Sequence, residues 1–214
     1  MSANGPHQGQ PLVTAGTDVD DAEAALVLVH GRGATARSIV NMVGAFHRPG
    51  IALLAPQAAN NTWYPHSFMQ PVERNEPGRS SGLRAVDDAV GTATEAGVPL
   101  DRVLVLGFSQ GACLASEYVA RNPRRYGGAV AFSGGLIGET VDPGEFEGDL
   151  DGTPYFIGCS DSDPHIPEER VHATADVFER LNADVEKRIY QGMGHAVNAD
   201  EREYVDGMVA DLLA

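Results

Sequence analysis

Cysteine is scarce in this chain and long apolar runs are absent. The 214 residues include two cysteines, Cys113 and Cys159, so neither a disulfide framework nor a zinc site is indicated. We expect both thiols to behave as small buried apolar groups. No apolar run approaches the roughly 18 residues of a membrane span, and residues 1–10 lack the basic and apolar parts of a signal peptide. These absences predict a cytoplasmic protein with no membrane span.

Basic residues are also few. The chain has 15 Lys and Arg residues against 30 Asp and Glu, for a formal charge of −15. Binding to nucleic acid depends on neutralising phosphates, so a nucleic-acid partner is not expected. Such a charge keeps the surface hydrated. It suits a salt-rich cytoplasm, but it equally suits an ordinary soluble protein, and the sequence leaves both open.

Length and patterning predict one domain of α/β architecture. Residues 1–23 have no periodicity and are expected to form an irregular N-terminal leader, followed by a single domain at 24–214. Apolar β-branched runs then alternate with stretches of helical spacing, which predicts an open, mostly parallel sheet with helices on both faces, a three-layer sandwich. The predicted strands are Ala25–Val29, Ile51–Leu54, Val103–Leu106, Ala129–Phe132, Tyr155–Ile157 and Val185–Tyr190. The predicted helices are Ala36–Phe46, Gly82–Ala96, Gln110–Arg121, Glu168–Leu181 and Glu201–Leu213.

A Gly-x-Ser-x-Gly motif lies between a predicted strand and a predicted helix. The strand ends just before the motif, and the helix begins at its fourth residue. The motif is Gly107-Phe108-Ser109-Gln110-Gly111. A strand running through this motif into a helix is the context of a nucleophile elbow in the α/β-hydrolase fold. Glycines at the two flanking positions let strand and helix approach closely. The sequence therefore predicts Ser109 as a catalytic nucleophile.

Two backbone N–H groups are predicted to form an oxyanion hole. In this fold one donor is the residue after the nucleophile, here Gln110, and the other lies in the loop after an early strand. That loop is His30-Gly31-Arg32-Gly33, which makes the N–H of Arg32 the expected second donor. Gly31 and Gly33 are expected to let the backbone approach the substrate. His30 is expected to hold the loop, and the Arg32 side chain either favours anionic groups at the entrance or is a solvated surface arginine.

The remaining catalytic groups are expected downstream, in the order acid and then histidine. His195 follows the last predicted strand and is preceded by Gly192 and Gly194, which give the loop freedom to bring the ring to Ser109 and favour His195 as the base. An acidic loop after the preceding strand offers Asp161 and Asp163. One of them is expected to orient the histidine and the other to cap a turn or helix. Spacing does not separate the two.

These segments together resemble the phospholipase/carboxylesterase family of small α/β-hydrolases, which includes acyl-protein thioesterases. The resemblance runs from about Leu26 to the end and rests on His30-Gly31-Arg32-Gly33, Trp63-Tyr64, the serine motif, Asp163-Pro164-His165-Ile166-Pro167 and Gly192-Met193-Gly194-His195. It implies that the aspartate before the proline, Asp163, is the triad acid. It allows a homodimer. Nothing in the sequence implies a cofactor or a metal. Family members often have His-Gly in place of Cys159-Ser160 and leucine in place of Arg32, so long-chain lipid or acyl-protein substrates are not implied.

An irregular segment between the predicted strand Ile51–Leu54 and the predicted helix that begins at Gly82 contains several aromatic residues. Loops of this length usually carry function or cover a site. We expect Trp63, Tyr64 and Phe68, with Ile166, to bind substrate as the wall of an acyl pocket. An aromatic cluster packed beneath a surface loop is the alternative.

The expected function is hydrolysis of small-molecule carboxylic esters with short to medium acyl chains, through an acyl-enzyme on Ser109. A non-catalytic ligand-binding protein with the same fold is the alternative from another class. Among enzymes, hydrolases of aromatic-degradation products or of lysophospholipids remain alternatives.

Overall fold

Seven strands form a single sheet in the computed structural model, which describes residues 5–214. Their order across the sheet is β1-β3-β2-β4-β5-β6-β7, with β1 antiparallel to β3 and every other pair parallel. This topology confirms the predicted α/β-hydrolase architecture. The strands are β1 Leu12–Gly16, β2 Ala24–Val29, β3 Ile51–Pro56, β4 Val103–Phe108, β5 Gly128–Phe132, β6 Pro154–Ser160 and β7 Asp184–Tyr190.

Helices cover both faces of this sheet. The α-helices of the described chain are α1 Ala36–Val43, α2 Gly78–Glu95, α3 Gln110–Arg121, α4 Glu168–Arg180 and α5 Ala199–Asp211. Helices α2, α3 and α4 pack into one apolar cluster, whereas α1 and α5 pack into the other. Along β2, Val27 faces the first cluster and Leu26 and Leu28 face the second, all fully buried. Burial on both faces explains why this strand is apolar at every position instead of at every second one.

The N-terminal leader is not irregular throughout, which corrects the expectation for residues 1–23. Strand β1 lies within it and pairs antiparallel with β3, with Leu12 opposite Pro56 and Gly16 opposite Ala52. Val13 packs toward one core cluster and Leu12 toward the other. The five residues of β1 are too few for their periodicity to indicate a strand. The strand forms because its backbone groups bond to β3, about forty residues away in the sequence.

The site is positioned by the carboxyl ends of the parallel strands. Within the sheet, β2 lies between β3 and β4, so the chain adds β3 on one side of β2 and then β4 on the other. Ligands of open α/β sheets bind at such a switch in direction. The loops after β2 and β4 are therefore neighbours at this edge, and the loops after β6 and β7 extend it.

Candidate active site

Ser109 occupies a sharp turn between β4 and α3. Its φ of 56° and ψ of −121° lie in a region that non-glycine residues rarely adopt. Two glycines make the turn sterically feasible. A Cβ at Gly107 would overlap the backbone of Gly111, and a Cβ at Gly111 would overlap the carbonyl of Val29. Strand and helix thus approach as closely as the sequence predicts, and the serine stands at the N-terminus of α3.

Three side chains from three loops form a continuous line of hydrogen bonds. His195 Nε2 lies 2.8 Å from Ser109 Oγ, and His195 Nδ1 lies 2.7 Å from Asp163 Oδ2. When the Nδ1–H group donates a hydrogen bond to the carboxylate, Nε2 carries no proton and can accept the proton of the serine hydroxyl. The side chain of Asp163 is fully buried and that of His195 is 19% exposed. The arrangement has the geometry of a nucleophile, a base and an orienting acid.

Asp163 is surrounded by hydrogen-bond donors. Its Oδ1 accepts from the N–H groups of His165 at 2.8 Å and Ile166 at 3.1 Å. Burial opposes ionisation of this carboxyl, but the bond from His195 and the two backbone bonds outweigh it, so the pKa of Asp163 is lowered. The thiol of Cys159 lies 3.7 Å from Oδ2, and burial raises the pKa of that thiol to about 12. The carboxylate is therefore charged at neutral pH and the thiol protonated.

Asp161, the other acidic candidate, anchors the loop that carries His195. Its Oδ1 accepts the N–H of Gly192 at 2.8 Å, and the neighbouring Ser160 Oγ accepts the N–H of Gly194 at 3.0 Å. Both glycines have positive φ, 64° and 72°, which favours glycine at these positions. Of the two acidic side chains, only Asp163 is hydrogen-bonded to the imidazole.

His30 holds the loop after β2 in shape. The ring is fully buried, and its Nδ1 donates to Gly31 O at 2.8 Å while Nε2 accepts the N–H of Ala58 at 3.1 Å. Burial lowers the pKa of His30, so the ring is neutral and fits this donor and acceptor pair. His30 is therefore a structural residue, as expected.

The candidate oxyanion donors lie on either side of Ser109. Gln110 is the first residue of α3, so its N–H has no acceptor within the helix. In the facing loop the N–H of Gly33 donates to Asn61 O at 2.7 Å, which leaves that of Arg32 as the candidate. A Cβ at Gly31 would lie 3.5 Å from the Ser109 Cβ. Gly31 therefore approaches the reacting group closely.

Trp63 was expected to bind substrate and does not line the cavity. Its indole is fully buried and donates from Nε1 to His30 O at 2.8 Å. The side chain of Gln110 holds the same segment, because its Oε1 accepts the N–H of Trp63 and its Nε2 donates to Tyr64 O, both at 2.9 Å. Full burial of so large a side chain, with its N–H satisfied, is the more stable arrangement.

Gly33 also lies outside the cavity lining. A Cβ there would meet no atom within 4 Å, and its φ is +73°. The glycine is favoured by this left-handed backbone and not by a close approach to substrate, which corrects the expectation.

His7, in the leader, supports the aromatic segment and could not be predicted as a site residue. The ring is 4% exposed, its Nε2 donates to Trp63 O at 2.8 Å, and its Nδ1 accepts the N–H of Ala59 at 3.1 Å. No motif surrounds His7, and its partners lie more than fifty residues away.

A cavity of about 470 Å³ opens beside Ser109. Of the residues expected to bind substrate, Gly31, Tyr64, Phe68 and Ile166 line it. The sequence did not predict several other lining residues, which are Ala34, Pro65, His66, Ser67, Phe108, Cys113 and His165. The site is thus an apolar and aromatic pocket with a few polar groups near the serine, typical of small-molecule sites.

Comparisons with known proteins identify the family of this chain. The family model for Phospholipase/Carboxylesterase matches residues 12–210. The chain belongs to the phospholipase/carboxylesterase family. A solved phospholipase/carboxylesterase from Dyadobacter fermentans is 40% identical, with a TM-score of 0.91 over 94% of this chain and 97% of that one. The chain is therefore a carboxylic ester hydrolase of the phospholipase/carboxylesterase type.

Curated relatives of this chain share less sequence identity with it than the Dyadobacter fermentans protein does. Acyl-protein thioesterase 1 of Neurospora crassa is 23% identical over 89% of this chain and 87% of its own length. A putative carboxymethylenebutenolidase of Salmonella typhi is 32% identical over 58% of this chain, and the match spans less than half of that protein, 47%. In residues 5–214, no helix has the length and apolar character needed to cross a bilayer.

Proposed function

We propose that the protein hydrolyses small-molecule carboxylic esters in two steps, through an acyl-enzyme on Ser109. The observation that carries this proposal is the hydrogen-bonded line from Asp163 through His195 to Ser109, at 2.7 and 2.8 Å. A serine hydroxyl is a weak nucleophile by itself, and a base within hydrogen-bond distance activates it.

Acylation follows from the positions of these groups. Ser109 Oγ bonds to the ester carbonyl carbon while its proton moves to His195 Nε2, and Asp163 stabilises the charged ring. The former carbonyl oxygen becomes an oxyanion and accepts from the N–H groups of Arg32 and Gln110; each such donor contributes roughly 10²–10³-fold in rate. When the carbon–oxygen bond to the alcohol breaks, His195 returns the proton to the leaving oxygen.

Deacylation repeats the same steps with water. His195 takes a proton from water as its oxygen attacks the acyl carbon, and the bond to Ser109 Oγ then breaks. The carboxylic acid leaves and the serine recovers its proton. No group beyond the three side chains and the two N–H donors is required.

The cavity favours short to medium acyl chains. Its volume of about 470 Å³ lies in the lower half of the roughly 300–1,000 Å³ range of small-ligand sites. Phe68 and Ile166 are 6% and 3% exposed and form its apolar wall with Tyr64. Thioesters react by the same chemistry and belong in the same substrate panel.

A fluorophosphonate probe and a panel of p-nitrophenyl esters from acetate to palmitate test the proposal. Wild-type protein is expected to be labelled and to cleave the shorter esters fastest, whereas Ser109→Ala loses both properties. Ser67→Ala removes a hydroxyl from another residue that lines the cavity and is the matched control, expected to keep both. Folded wild-type protein that is neither labelled nor active on any ester would favour a non-catalytic ligand-binding protein.

A further inference from the structure

The cavity beside Ser109 is free of acidic residues although the chain is rich in them. Asp and Glu account for 30 of 214 residues, yet none is among the described residues that line this cavity. The lining instead contains Arg32 and three histidines, His66, His165 and His195. Arg32 therefore places a positive charge among the lining side chains of a protein whose net charge is −15. The carboxylate of Asp163 lies behind His195 and outside this lining.

The guanidinium of Arg32 is held in place by neutral groups. Its Nη1 donates to Pro65 O at 3.0 Å and its Nη2 donates to His66 O at 2.7 Å. The same guanidinium lies 6.0 Å from the ring centroid of Tyr64. Within the described part of the chain, no carboxylate lies within ion-pair distance of it. The positive charge is consequently fixed in position and is not neutralised by the protein.

The guanidinium also keeps hydrogen-bonding capacity for a ligand. An arginine carries five N–H donors in a planar fork, and the two carbonyls occupy two of them. Arg32 is exposed at the cavity rim. A fork that is already ordered loses little side-chain entropy when an anion binds, which favours binding of carboxylate or phosphate groups.

We propose that the preferred substrates are esters that carry an additional anionic oxygen group, a carboxylate or a phosphate, which binds the Arg32 guanidinium. This inference rests on the proposed function, because the backbone N–H of the same residue is the candidate oxyanion donor. One residue would then bind the ester carbonyl through its main chain and the anionic group through its side chain. The anionic group of the substrate must therefore lie no farther from the reacting carbonyl than the length of the Arg32 side chain.

Charge at the rim has a different effect from charge on the whole surface. The net negative charge repels an anionic ester at long range, but salt screens that repulsion beyond a Debye length of about 8 Å at physiological ionic strength. A direct charge-assisted hydrogen bond to a guanidinium is short and directional, and it acts at contact distance, well within that length. The contact at Arg32 therefore decides between anionic and neutral esters once the substrate is in the cavity.

Three p-nitrophenyl esters test this inference: the pentanoate, the hemiglutarate with a terminal carboxylate, and a chain-matched ester with a terminal phosphonate. The measured quantity is the ratio of kcat/KM for each anionic ester to that for the pentanoate, with Ser109→Ala protein as the blank. Arg32→Met keeps the backbone N–H and removes the charge. It is expected to lower this ratio about tenfold, in line with the loss of a hydrogen bond to a charged group. Comparison of the two anionic esters identifies which anion the site prefers.

Two further variants separate charge recognition from a structural role of Arg32. Arg32→Lys keeps the charge but not the planar fork, so its ratio is expected between those of wild type and Arg32→Met. Arg37→Met removes an exposed charge on α1, outside the cavity lining, and is expected to leave the ratio unchanged. Equal losses on all three esters in Arg32→Met would mean that the residue only holds the 65–66 segment, and would overturn the inference. Absence of Ser109-dependent cleavage of every ester would instead overturn the proposed function.

Discussion

Neutralising Glu201 is expected to change how the stability of the protein depends on pH. This side chain is fully buried near the start of α5. Its Oε2 accepts the N–H of Asn198 at 2.8 Å, whereas its Oε1 lies against Gly158 and has no hydrogen-bond partner within residues 5–214. Burial raises the pKa of Glu201 to about 7; Asp200 adds to the shift, and the Asn198 bond and Arg202 oppose it.

The sign and size of the effect follow from proton binding. The pKa is raised from 4.5 to about 7, so the folded state holds this proton more tightly than the unfolded state. The stabilisation from that proton is complete below pH 4.5 and is lost as the pH rises through 7. At about 1.4 kcal/mol per pH unit, the shift corresponds to about 3 kcal/mol.

The variant Glu201→Gln keeps an oxygen that can accept from Asn198 and has no proton to lose. Between pH 5 and pH 8 the wild-type protein is expected to lose about 2.5 kcal/mol of unfolding free energy relative to this variant, because a small part of the effect is already lost at pH 5. Urea denaturation, followed by fluorescence of the single buried tryptophan, Trp63, measures the difference at each pH. Glu203→Gln makes the same change at an exposed position of α5 and serves as the control. Parallel curves for wild type and Glu201→Gln would refute the reasoning.

Two further substitutions test the site and the turn. Asp163→Asn presents an amide to His195 and selects the wrong tautomer, so kcat on p-nitrophenyl butyrate should fall about 10⁴-fold; Asp161→Asn still offers an oxygen to Gly192 and should cost less than about tenfold. Gly111→Ala directs a Cβ into the carbonyl of Val29 and should lower the unfolding free energy by about 3 kcal/mol or prevent folding. Gly91→Ala on α2 is the control, because a Cβ there meets nothing within 4 Å. It should raise the unfolding free energy of the protein by about 0.5–1 kcal/mol, and thermal melts of the two variants measure the difference.

The nucleophile turn was predictable because its constraints are local. Gly107 and Gly111 are required by contacts with backbone a few residues away or in the adjacent strand, and an apolar strand before the motif is visible in the sequence. The choice between Asp161 and Asp163 was not predictable from spacing, since both lie in one short loop. Their roles differ because Asp163 is turned inward by two backbone N–H groups while Asp161 accepts from Gly192. The family resemblance, and not the spacing, implies Asp163.

Other features depend on partners that are distant in the sequence. Strand β1 exists because β3 offers it an edge. Trp63 looked like a pocket residue because aromatic side chains often line pockets. Its actual position depends on an acceptor at His30 O and on the glycine at position 82, where a Cβ would lie 3.3 Å from the indole. No local pattern pairs either residue with Trp63.

The buried indole of Trp63 connects the two candidate oxyanion donors. Its ring N–H holds the carbonyl of His30, at the start of the loop that carries Arg32. Its backbone N–H is held by the side chain of Gln110, whose own N–H is the other donor, and its carbonyl is held by the ring of His7. Donors that are fixed before the substrate arrives need no rearrangement as charge develops, which is the main source of oxyanion stabilisation. In the proposed mechanism, Trp63 thus acts by fixing the relative position of the two candidate backbone donors, while Tyr64 and Phe68 of the same segment line the cavity.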